Sequence, residues 1–237
     1  MLYNFYQNIV LKNPKSIFFL LIITLLSFGY FTKDFKLDAS SETLLIEGDP
    51  DLEYLREVNK RYGSKDFLVL TYTPNKGMVT ESSINNLLSL KYKIQSLNWV
   101  HSVVTLLDIP LLNNSEAPLQ ERLENFKTLK DEGVDKERGF KEILNSPVFR
   151  NFVISEDGNT SGIIVYIKKN KLKNIENKTQ KEIEIYKDSL KKKNHDNILQ
   201  IRGIIKTYDD IGKIYLGGIP MIADDMMSFI KSDIIVF

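Results

Sequence analysis

The hydrophobic pattern of the chain has one uninterrupted run and then a series of short periodic ones. The run is Ser16–Thr32, bounded by Lys15 on one side and by Lys33 and Asp34 on the other. It carries no charge and has no polar face, so the rule for a helix packed on a soluble core does not describe it. As a helix it would reach roughly 25 Å, near the short end of what crosses a bilayer core, with flanking lysines free to snorkel. Three readings compete: a cleaved signal peptide, a buried core helix and an uncleaved membrane helix. A signal peptide wants a small-x-small site just past its apolar stretch. Here the run ends in Phe28-Gly29-Tyr30-Phe31, and Ala39-Ser40-Ser41 lie beyond two lysines and two aspartates. The pattern is therefore read as an uncleaved membrane helix. Lys12 and Lys15 before it balance Lys33 and Lys36 after it, so the positive-inside rule does not orient it.

After a polar connector, Asp49-Pro50-Asp51 is a helix start: Asp49 caps, Pro50 fits the first turn, and Asp51 and Glu53 suit the dipole. Leu52, Leu55, Asn59 and Tyr62 share a face, and Gly63 is placed to stop the helix. Phe67–Thr73 reads as a central strand. Thr80 is expected to cap a helix reaching about Leu97, with Ile84, Leu87, Leu88 and Ile94 buried, and Val100–Leu107 is a second strand. Residues 108–147 read as a helical insertion over the sheet, with helices at Leu119–Glu132 and Lys136–Asn145 around Gly133. Phe149–Ile154 and Thr160–Lys168 flank Glu156-Asp157-Gly158-Asn159 as a hairpin. A charged helix over Asn174–Lys193 presents Ile183, Tyr186 and Leu190. A break at Asn194–Asn197 separates it from another over Ile198–Asp209. Lys213–Leu216 is the last strand. Gly217-Gly218-Ile219-Pro220 turns the chain into a helix from Met221, polar at first and then apolar through Met226, Met227, Phe229 and Ile230. Without the insertion the order is β-α-β, hairpin strand, α, β. This is the ferredoxin-like split βαβ order, with helices on one face of a mixed sheet, so the fold class is a membrane helix plus an α+β domain.

Composition narrows the function classes. Of 237 residues 43% are hydrophobic, enough for a core, and the net charge of +1 gives no global field for nucleic acid. Cysteine is absent, which removes disulfides, thiolate metal sites and cysteine nucleophiles. The two histidines, His101 and His195, have no visible ligand partners and read as structural. The Lys-rich stretch Lys168–Lys193 is interspersed with Glu176, Glu182, Glu184 and Asp188 and reads as a solvated face. Asn113, Asn159 and Asn177 begin Asn-x-Ser/Thr sequons that chance produces in an Asn-rich chain. Gly217-Gly218 is a tight turn rather than a phosphate loop. No nucleophile–base pattern, metal motif or cofactor motif is present, so no catalytic, cofactor or metal residue is assigned and an enzyme is not expected. Asp224, Asp225 and Asp233 are the candidate site residues, carboxylates placed to form an ion or proton entry at a membrane surface. Acids early in a helix also simply complement its dipole.

Several segments together resemble the N-terminal part of transporters of the resistance-nodulation-division superfamily, in the branch of MmpL-like hydrophobe exporters. They are Leu44-Leu45-Ile46-Glu47-Gly48-Asp49-Pro50, Tyr62-Gly63-Ser64-Lys65-Asp66-Phe67-Leu68-Val69, Val103-Val104-Thr105-Leu106-Leu107-Asp108-Ile109-Pro110, Ser155-Glu156-Asp157-Gly158 and Tyr215-Leu216-Gly217-Gly218-Ile219-Pro220, with Asp224 and Asp233 after them. The resemblance lies in their order and spacing around one membrane helix and covers nearly all of the chain. It implies a cytoplasmic tail at 1–15, a first transmembrane helix at 16–32 and an extracytoplasmic porter-like domain at 33–220. It makes 221–237 the entry to a second transmembrane helix and Phe237 a truncation point. It also implies the inner membrane and proton-driven export of lipids or other hydrophobic or amphiphilic compounds by alternating access. The implied partners are the bilayer, the substrate, further transmembrane helices and a second porter domain, with room for a homo-oligomer. The proton-relay carboxylates of such transporters lie in later helices, so none is carried onto this chain. The alternative is a single-pass membrane-anchored α/β module that binds a partner and transports nothing.

Overall fold

The structure is a computed structural model that describes residues 11–32, 48–62, 66–113, 118–168 and 179–236. Most of the predicted connector, the helix stop at Gly63, the sequon at Asn177 and the terminal Phe237 lie outside the described residues. The chain divides into two compact units, Met1–Asp38 and Ala39–Phe237.

The first unit holds helix α1, Pro14–Thr32. Pro14 takes the start, where its missing N–H costs nothing. Phe18, Phe19, Leu25, Leu26 and Phe28 all stand exposed around it. Among the described residues it is the one helix long and apolar enough, by length and composition, to cross a membrane.

The second unit is α+β. Helix α2, Pro50–Tyr62, starts as expected, with the Asp49 carboxylate accepting the Asp51 N–H at 2.9 Å. Strand β1 is Phe67–Pro74, followed by helix α3, Glu81–Gln95, and strand β2, Val100–Val104. Thr80 caps α3 through the Ser83 N–H. Two short helices, α4 (Leu119–Glu124) and α5 (Lys136–Leu144), precede strand β3, Ser161–Ile167. Helix α6, Gln180–Lys206, strand β4, Gly212–Gly217, and helix α7, Ile219–Val236, complete the unit. The four strands form one sheet in the order β2-β3-β1-β4, with every neighbouring pair antiparallel. The expected mixed sheet is thus corrected. The α3 crossover leaves a gap between β1 and β2, and β3 fills it running the other way.

Side chains alternate along β1, so Leu68, Leu70 and Tyr72 point to one face and are fully buried. There they join Ile163 and Val165 of β3, the Ile84, Leu87, Leu90 and Ile94 stripe of α3, and Ile198 and Ile201 of α6. The segment read as an insertion belongs to the same core through Leu107, Leu111, Leu129 and Ile143.

Four element readings change. The second strand stops at Val104, because Thr105 and Asp108 close a capping box on a 3-10 turn over Leu106–Asp108. The helix expected at Leu119–Glu132 stops at Glu124. Beyond it the Leu111 N–H takes the Lys127 carbonyl at 2.8 Å, and Asp131 accepts the Thr128 N–H and hydroxyl. The Asp157-Gly158 turn is present, but Phe149–Ile154 is not its partner strand. The N–H groups of Phe152, Val153 and Ile154 all converge on the Phe149 carbonyl, with Asn151 at φ 63°, and contact with β3 is limited to Ile154 opposite Ser161 and the Gly162 N–H on the Val153 carbonyl at 2.7 Å. The break at Asn194–Asn197 does not exist: α6 runs unbroken from its Thr179–Glu182 capping box to Lys206.

One half-buried ion pair ties α3 to the turn after β2. Lys91 Nζ donates to the Asp108 carboxylate, which also accepts the Thr105 N–H at 2.9 Å and hydroxyl at 3.1 Å, with Lys130 Nζ at 3.3 Å. Burial works to raise the Asp108 pKa; the bonds from Lys91 and Thr105 outweigh it and hold the group below its ordinary 3.8. A carboxyl that ionises more easily folded than unfolded stabilises above its unfolded pKa, and that contribution is lost as pH falls through the folded value. Asp108→Asn leaves Lys91 without its charge partner and should cost about 2–4 kcal/mol at neutral pH. Denaturant unfolding of the full chain should show this gap close as the pH drops below about 4. An equal loss at pH 3 and pH 7 would rule out the electrostatic account.

Candidate functional site

Strand β4 leads into α7 through Gly217-Gly218. Gly218 has φ 114°, a conformation that side-chain-bearing residues avoid. A Cβ there would meet the Phe67 carbonyl at 3.0 Å and Leu68 Cα at 3.1 Å. The glycine thus serves a close backbone approach that seats the start of α7 against β1.

Asp224 and Asp225 lie in the second turn of α7, and both face α6. Asp224 accepts His195 Nδ1 at 3.0 and 3.1 Å to its two oxygens. Its side chain is 9% exposed, against 45% for His195. Asp225 binds Arg202, one guanidinium nitrogen donating to both carboxylate oxygens at 2.8 Å. A third bond runs from the Asn194 amide to the Pro220 carbonyl at 2.8 Å. The carboxylates are therefore brought together by an interface between two helices. Asp233 stands exposed about two turns further on and takes no part in these bonds.

His195 reads from sequence as structural, with no metal-ligand partner; the structure pairs it with Asp224. Arg202 was not singled out from the sequence at all. A usable signal existed: His195 and Arg202 are seven apart and so share a helical face with the buried Ile198. His101 is exposed on β2, next to the register shift between Val100 and Ser102. Among the described residues no three His, Asp or Glu side chains are grouped to hold a metal.

Two other surfaces carry groups suited to binding. The sheet face opposite the core carries Phe67, Val69, Ile164, Tyr166, Val104 and Tyr215. The register sets Phe67 beside Tyr166 and Val69 beside Ile164, and the Phe67 and Tyr166 rings meet edge-on at 6.4 Å. Phe67 is 45% and Tyr215 66% exposed, large values for aromatic side chains. The second surface is a cleft of about 650 Å³ between α5 and residues 110–113. Two of its charged groups are engaged: Glu142 accepts the N–H groups of Leu112 at 2.6 Å and Asn113 at 3.0 Å, and Arg138 donates to the Asn113 carbonyl at 2.8 Å. The Asn159 amide is likewise held by Asp157, whose carboxyl is lowered to about 2 by bonds from Ser155 and Asn159.

No protein-family model matches the chain, and no curated protein matches it. Gly218→Ala should destabilise the chain by about 1–3 kcal/mol, since it adds both strain and a backbone clash. Thermal unfolding of the full chain would show it, and an unchanged transition would mean that the turn tolerates a Cβ.

Proposed function

We propose that this chain is the N-terminal part of a proton-driven exporter of hydrophobic or amphiphilic compounds, of the resistance-nodulation-division type. One observation carries the reading. An apolar helix with no buried side precedes an α+β unit whose last strand runs directly into a helix that turns apolar. Supporting it, the strand order β2-β3-β1-β4 is that of a ferredoxin-like split βαβ unit, the kind expected of a porter domain. In this reading α1 is the first membrane span and the α+β unit is extracytoplasmic in an inner-membrane protein. The exposed Phe229, Ile234 and Val236 at the far end of α7 approach the bilayer. Asp233 is then a carboxylate at the membrane surface, where an ionisable group beside apolar residues has functional weight. Asp224 and Asp225 are committed to α6 and hold α7 in place. The aromatic sheet face is where an apolar substrate or a second domain would make contact.

The coding sequence downstream of the Phe237 codon tests the transporter. Several apolar segments and a second α+β unit of the same order are expected there. A stop codon in an intact gene would overturn it in favour of a membrane-tethered binding module, for which the exposed Phe67 and Tyr215 already offer a surface. Alkaline carbonate extraction tests the anchor independently. The full chain should stay in the membrane pellet, and deletion of residues 14–32 should shift most of it to the supernatant. Release of the intact chain by carbonate would refute membrane insertion.

A further inference from the structure

A pair of glycines between a strand and a helix, as at Gly217-Gly218, is a place where a backbone can bend. The structure holds this place from three sides. Gly218 is packed on the backbone of Phe67 and Leu68 in β1, where a Cβ would sit at 3.0–3.1 Å from them. Asn194 on α6 binds the Pro220 carbonyl in the first turn of α7. One turn later His195 and Arg202 take Asp224 and Asp225. The α6 end of these contacts is itself fixed: Ile198 and Ile201 are fully buried, and the Gln200 side chain accepts the Trp99 indole N–H at 3.0 Å. Each bond taken alone is worth little, and the half-exposed Arg202–Asp225 pair would be worth little as a surface contact. Spread over two turns of one helix, they oppose rotation about every axis at the Gly-Gly turn.

We infer that α6 and the start of α7 form a rigid bracket, so that α7 moves with the α+β unit as one body instead of swinging at Gly217-Gly218. Its two side-chain contacts join His195 and the permanent cation Arg202 of α6 to the Asp224 and Asp225 carboxylates of α7, and losing them would turn the glycine pair into a hinge. This inference rests on the proposed membrane role only for its biological meaning. The rigidity itself is a property of the unit.

The chain has no cysteine, so Asn85→Cys on α3 and Ser232→Cys on α7 can be spin-labelled without background, both positions being exposed. Pulsed electron–electron spectroscopy on the full chain in lipid nanodiscs should give one narrow distance. Arg202→Glu or Asp225→Arg, each setting like charges face to face between the helices, should broaden that peak, and the exchanged pair Arg202→Glu with Asp225→Arg should restore it. Asp224→Asn removes charge at constant shape and should broaden the peak to a lesser degree. Hydrogen exchange of β1 and β3, read in parallel, should stay protected in every variant, showing that the sheet is intact. A broad distance in the unaltered chain would overturn the bracket. So would narrow peaks in both single variants, or an exchanged pair that fails to restore the peak while the sheet stays protected. Failure of the chain to insert into nanodiscs would instead count against the membrane reading, and the same distances can then be measured in solution.

Discussion

The α+β unit depends on strand β1 being central. Its inward side chains, Leu68, Leu70 and Tyr72, are fully buried, and each large apolar side chain so placed contributes about 1.5–3 kcal/mol from surface removed from water. Its two edges are satisfied by β3 on one side and β4 on the other. Helices α3 and α6 find a floor only because this strand is paired on both sides. The segment between β2 and β3 adds Leu107, Leu111, Leu129 and Ile143 to the same core, so it is part of the folding unit and not a decoration on it. The Tyr72 hydroxyl is the one buried side-chain group, among the described residues, that completes no hydrogen bond. Burial raises its pKa, while nearby Asn86 and Ser83 pull the other way.

Local chemistry made much of this legible. Asp49 and Pro50 at the start of α2, Thr80 before α3 and the apolar stripe Ile84, Leu87, Ile94 all act within one or two turns. The alternation of strands and helices pointed to the α+β class, though not to a sheet whose neighbouring strands are all antiparallel. The misreadings share a cause: a partner distant in sequence decided the local conformation. Asn194-His195-Asp196-Asn197 is a poor helical stretch by propensity. It stays helical because Ile198 and Ile201 anchor one side while Asn194 and His195 are drawn to α7. Phe149–Ile154 has strand-like composition, yet three of its N–H groups close on the Phe149 carbonyl and only its last two residues reach β3. Capping at Thr105 and the Thr128–Asp131 turn cut two elements short by side-chain bonds that a hydrophobic pattern does not record.

The candidate carboxylates show the same limit. Read along the chain, Asp224, Asp225 and Asp233 form one series at the start of an apolar helix. In space they separate, the first two turned toward α6 and the third left to solvent. Which acid faces which helix depends on the approach angle that Gly218 sets. No spacing rule within α7 contains that angle.

The sheet order also governs how the chain is made. Neither neighbour of β1 follows it directly, and the contact between the Thr73 and Thr160 hydroxyls at 2.8 Å closes a loop of 87 positions. During synthesis β1 therefore emerges with both edges open and waits for β3 and then β4 before its backbone is satisfied. Such non-local pairing slows folding and prolongs exposure of an aggregation-prone strand. Nascent Phe67–Pro74 accordingly keeps one edge open until Ser161–Ile167 has been made and the other until Gly212–Gly217 has, so the rate of ribosomal elongation across that interval sets how long the strand needs protection.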